Sequence, residues 1–137
     1  MGLYLCIFGG AEDIDGVEVG SYGDYNAFRD LVVRELEAGR AGSQFPTFVL
    51  HSDCDGEWSV ADCEKLQHEF VRIAAALKQR PAVEFNSEWQ KVVAKSVGLS
   101  PQNAFESFID VDGEFLIERL QNLTKNALDR RLPILFQ

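Results

Sequence analysis

A chain of 137 residues, 46% of them hydrophobic and 26% charged, is too apolar to be disordered and has room for one domain, residues 1–137, that buries roughly two-thirds of its unfolded surface. Thirteen Lys and Arg against 22 Asp and Glu give a formal charge of −9, so a phosphate backbone is repelled and no nucleic acid is expected as a partner. No apolar run approaches the roughly 20 residues that cross a bilayer, so no membrane is expected either, and three cysteines without a Cys-x-x-Cys pair fit a reducing, cytoplasmic compartment.

The apolar start, Met1 to Phe8, reads as a first strand; it lacks the positive residues of a secretory leader. Gly9-Gly10-Ala11-Glu12-Asp13 turns the chain, and Val17-Glu18-Val19 alternates as a short second strand. From Asp24 the spacing of Phe28, Leu31, Val32 and Leu36 becomes helical, with Gly39 to end the helix and a loop over Arg40–Gln44. Pro46-Thr47-Phe48-Val49-Leu50 reads as a buried strand. Ser59 and Asp62 form a capping box at the start of the longest helix, whose residues Cys63, Leu66, Phe70, Ile73, Ala74 and Leu77 share one face before Pro81. A second capping pair, Ser87 with Gln90, opens a helix that turns Trp89, Val92, Val93 and Val97 inward and stops at Gly98. Ser100-Pro101 begins a short helical turn. Phe105–Ile109 fits either period and is read as a strand. The last helix runs from about Glu114 to Asp129, and Pro133-Ile134-Leu135-Phe136 closes the chain as a strand. The expected fold is α/β or α+β, a single-layer sheet of four to five strands packed with about four helices.

One pattern occurs twice: Asp53-Cys54-Asp55-Gly56-Glu57 and Asp110-Val111-Asp112-Gly113-Glu114. Each copy follows a strand-like run and precedes a helical one. If those strands run parallel, both loops share the carboxyl edge of one sheet and their carboxylates face one region of solvent, suited to a cation or to a basic partner. A simpler role stands beside this: Asp-Gly turns the chain, and the carboxylates cap and stabilise the next helix. As a calcium loop, the first copy puts His51 at position one and the second puts Phe108 there with Arg119 at twelve, so hard-cation ligation is poor in one and absent in the other. His51, Cys54, Cys63 and His68 have zinc-like spacing, but Cys63 belongs to the buried stripe while His68 turns to a different face. Neither metal nor cofactor is therefore expected.

Catalysis has little support. No Gly-x-Ser-x-Gly elbow is present, and the Cys54 thiolate is disfavoured between Asp53 and Asp55. A divalent-cation module and a small hydrolase using two loop carboxylates remain as alternatives. Trp89 reads as a core residue. Trp58, directly after the first acidic loop, reads either as core or as an aromatic anchor for a cationic partner.

These features resemble the immunity protein 70 family of bacterial polymorphic toxin systems. The resemblance is carried by Met1–Phe8, Gly16-Val17-Glu18-Val19-Gly20-Ser21-Tyr22, His51–Trp58, Ser87-Glu88-Trp89, Glu106–Glu114 and the closing Pro133-Ile134-Leu135-Phe136-Gln137. It implies a small cytoplasmic protein that binds and neutralises a cognate toxin domain without catalysis. Many such toxins are basic because they attack nucleic acid, which an acidic inhibitor can mimic. The family supplies no contact residues to carry over, so the expected partner-binding set rests on the residues themselves: Asp53, Asp55, Glu57 and Trp58, with Asp110, Asp112 and Glu114 as a second strip. Glu12, Asp13 and Asp15 extend it if the first strand runs the same way.

Overall fold

The computed structural model describes residues 2–137; Met1, the first residue of the expected first strand, lies outside them. In strand β1 (Gly2–Gly9), Leu3, Leu5 and Ile7 alternate inward, and a tight turn at Gly10 (φ 68°) returns the chain antiparallel as β2 (Glu12–Ser21). Helix α1 (Tyr22–Leu36) starts two residues earlier than its apolar spacing indicated, because Ser21 and Asp24 form a capping box. Gly39, at φ 79°, takes the left-handed turn that follows it.

Pro46–Val49 is a short helix, α2, and not the expected strand. Pro46 sits in its first turn, where a missing N–H costs nothing, and the buried carboxylate of Glu69 accepts the backbone N–H groups of Thr47 and Phe48. Two residues, Glu57–Trp58, make strand β3. The longest helix, α3 (Val60–Leu77), opens on the expected Ser59/Asp62 capping box. In α4 (Glu88–Ser96) the expected Ser87–Gln90 bond is also present, at 3.0 Å. Its inward face differs from expectation: Gln90 and Ala94 are buried, whereas Val92 and Val97 are exposed. Trp89 ties the helix to α1, its Nε1 donating to Asp24 at 2.9 Å.

No helical turn forms at Ser100-Pro101, and Phe105–Ile109 is not a strand: Phe105–Ser107 is a 3-10 turn and Ile109 makes an isolated bridge to Phe115. Helix α5 (Leu116–Arg130) and strand β4 (Ile134–Phe136) complete the described chain. The sheet order is β2-β1-β4-β3 with every pairing antiparallel, so the architecture is α+β: one four-stranded sheet and five α-helices among the described residues. The expected parallel arrangement is overturned because both runs that would have supplied it, 46–50 and 105–109, are not strands.

The core lies between one face of the sheet and α1, α3 and α5, the last two packed on each other. Its centre is aromatic: Phe48 lies 5.2 Å from Phe28 and 5.5 Å from Phe70, and Trp58 lies 4.7 Å from Phe136. No helix among the described residues is long and apolar enough to cross a membrane.

Candidate functional site

The first acidic loop leads directly into β3, and α1 holds it from below. Asn26 donates to Asp53 at 2.7 Å and Arg29 donates to the carbonyl of His51, while Arg29 and Asn26 also bond each other. The His51 ring stacks on Phe136 at 4.3 Å, with Nδ1 at 2.8 Å from the Ser52 carbonyl and Nε2 at 2.9 Å from the Glu57 carbonyl. Gly56 supplies the turn at φ 83°, and its carbonyl accepts from the Phe136 N–H. The Asn26 hydrogen bond, with the Arg29 charge nearby, holds the Asp53 carboxyl below its ordinary range. Asp55 and Glu57 stand exposed on this pinned loop.

Trp58 is corrected from anchor to core. It is 1% exposed, and its Nε1 donates to the Thr47 carbonyl at 3.1 Å. Strand alternation explains this: with Glu57 turned to solvent, its neighbour must face inward. Trp89 is only half-buried, because its indole caps the Asp24 carboxylate at the rim of the core.

The second loop is built differently despite its matching pattern. Asp110 is 1% exposed; its Oδ1 accepts the N–H groups of Asp112 (2.9 Å) and Glu114 (3.0 Å), and its Oδ2 pairs with Arg119 Nε at 3.2 Å. Arg119 also pairs with Glu114 at 3.3 Å and donates to the Gly16 carbonyl at 2.8 Å. Asp110 is therefore an internal staple, unavailable to a partner. Asp112 and Glu114 remain exposed, with Glu114 partly neutralised by Arg119.

The two loops do not share a sheet edge. Val111 N–H bonds the Glu18 carbonyl of β2, one edge strand, whereas the first loop feeds β3, the other edge. In the single-layer sheet they flank the same slab from opposite sides.

The two loops lie at opposite edges of the sheet, so they do not bring together the pair of carboxylates that a hydrolase would need. Burial pushes the Cys6 thiol up to about 11 and the Cys63 thiol up to about 12, which removes both as nucleophiles near neutral pH. Among the described residues no group of three or more His, Cys, Asp or Glu is placed to hold a metal ion. Cys63 is buried and His68 exposed, on different faces of α3. A groove of about 530 Å³ runs between the end of α4, the second loop and α5, with Glu114, Glu118 and Asn122 along it.

Sequence reasoning missed Asn26, Arg29 and Arg119, which fix these loops, and Asp24, which ties the start of α1 to the start of α4. Asn26 and Arg29 lie one helical turn apart on α1, but nothing in that spacing announces a loop 22 to 27 residues away.

A family model described as Immunity protein 70 matches residues 3–136. No curated protein and no solved structure matches the chain.

Proposed function

The chain belongs to the immunity protein 70 family, and from that premise we propose that it acts in the cytoplasm as an immunity protein, binding and neutralising the toxin domain of a polymorphic toxin system by stoichiometric contact, without catalysis or cofactor. The observation that carries this reading is the extent of the family match, from residue 3 to residue 136. The charge balance supports a basic partner: at −9 the molecule attracts a positive surface at long range and raises the encounter rate. Asp53, Asp55 and Glu57 on one flank, and Asp112 and Glu114 on the other, are the candidate contacts. Trp58 and Asp110 support those loops from inside.

Loops pinned by His51, Asn26 and Arg119 lose little conformational entropy on binding, which favours tight capture. The direct test screens the genes beside this one for a secreted protein with a variable carboxyl-terminal domain and takes that domain as the candidate toxin. Calorimetry is expected to give one-to-one binding, and coexpression is expected to restore growth of cells making the toxin. Absence of both binding and rescue would remove the immunity reading.

A further inference from the structure

The face of the sheet turned away from the helices has an unusual composition. Antiparallel sheets with one solvated face ordinarily place polar side chains there. Here, strand alternation sends Tyr4, Cys6 and Phe8 of β1 and Leu135 of β4 to that side, and none of the four joins the hydrophobic core cluster. Cys6 lies directly opposite Leu135 on one side and Gly16 on the other, so these residues form one contiguous apolar patch. Tyr4, Phe8 and Leu135 are partly exposed and shield Cys6, which is 0% exposed. The Tyr4 ring is laid across β2: its hydroxyl donates to Asp13 at 2.6 Å, and an added Cβ at Gly16 would collide with the ring.

The rim of this patch is acidic. Register places Asp13 opposite Phe8, Glu18 opposite Tyr4 and Glu57 opposite Leu135, all three exposed. None of the thirteen Lys and Arg lies in β1, β2, β3 or β4; the first in the chain is Arg29, in α1. Basic residues are thus confined to the helices and their adjoining segments. Glu57 joins this face to the first acidic loop, and Glu18 joins it to the second through Val111.

Resting on the immunity reading, we propose that the open sheet face, with Tyr4, Phe8 and Leu135 at its centre and Asp13, Glu18 and Glu57 around it, is the surface that docks the toxin domain. The matching partner surface has an apolar centre ringed by Lys and Arg. An apolar core with a polar rim is the usual anatomy of a protein interface. A second copy of this chain is the poorer occupant, since face-to-face pairing would set one acidic rim against another.

The test compares two double variants of equal net charge. Glu18→Lys with Glu57→Lys alters the face, and Glu64→Lys with Glu84→Lys alters exposed positions on α3 and the segment after it; each pair moves the charge from −9 to −5. Binding to the toxin domain is measured by stopped flow and calorimetry. The face pair is expected to weaken binding at least about tenfold and the control pair no more than about threefold. The milder Glu18→Gln with Glu57→Gln is expected to act in the same direction, and it decides the matter if the reversal fails to fold. Equal losses in both pairs, or none in the face pair, overturn the face while leaving the immunity reading intact. A wild-type dimer in sedimentation that the face pair dissolves assigns the surface to a second copy and also overturns it. Failure of the wild type to bind the toxin domain removes the immunity reading and this inference together.

Discussion

Asp24 shows how one carboxylate can organise distant segments. It is 3% exposed and accepts from Ser21 N (3.0 Å), Ser21 Oγ (2.8 Å), Asn86 Nδ2 (2.8 Å), Trp89 Nε1 (2.9 Å) and Ser87 Oγ, tying the start of α1 to the start of α4. Burial works against its charge, but the hydrogen bonds from Ser87, Asn86, Trp89 and Ser21 outweigh it and hold the carboxyl at about 2, against an ordinary 3.8. A depressed folded-state value means that the unfolded chain binds the proton first. Its stabilisation, about 2 kcal/mol, is therefore present in full above pH 4 and lost as pH falls from about 4 to 2. Urea unfolding is expected to show this loss in the wild type and a flatter acid limb in Asp24→Asn. An acid limb unchanged by the substitution would refute the assignment. The paired acidic motifs teach a related lesson. Their Asp-Gly turns were legible in sequence, and both glycines do take positive φ, 83° at Gly56 and 82° at Gly113. Which aspartate is buried was not legible, because that is decided by Arg119 and by Asn26, residues that only the fold brings near.

Among the elements, those with local determinants were readable and those with remote ones were not. The capping boxes at Ser59 and Ser87 lie within a single turn, so the three-residue spacing that encodes them also builds them. The first and last strands were readable from their alternation and apolar run. Pro46–Leu50 was misread because five apolar-rich residues satisfy either period, and the choice falls to Glu69, 21 and 22 residues beyond Phe48 and Thr47, whose N–H groups it faces. That carboxylate is 6% exposed, so its removal strands buried donors. Glu69→Ala is expected to cost about 2–4 kcal/mol in denaturant unfolding. It is also expected to speed amide exchange at Thr47 and Phe48 beyond the general increase. Uniform acceleration across the molecule would mean that Glu69 stabilises the fold without fixing α2.

At the scale of the whole molecule, topology separates the charges. Antiparallel pairing leaves one sheet face bare, the strands contain no basic residue, and the helices that carry the Lys and Arg pack on the opposite face. Such a molecule has a field that is stronger on one side than its net charge indicates, and that side is the one an approaching cationic protein meets first. Screening sets how the field is felt. At about 0.1 M salt the Debye length is roughly 10 Å, so carboxylates along the β3 flank act together; near 1 M it falls to roughly 3 Å and each acts alone. Neutralising Asp53→Asn, Asp55→Asn and Glu57→Gln moves the charge from −9 to −6 while keeping an oxygen at residue 53 to accept from Asn26. Association with the toxin domain is expected to slow several-fold at low salt, with a shallower salt dependence, and the variant and wild-type rates are expected to converge as screening rises. Dissociation should change less, because Asp55 and Glu57 are exposed and act chiefly through steering. A constant ratio of association rates across all salt concentrations would show that these three residues matter by contact geometry, and that the acidic surface does not guide capture.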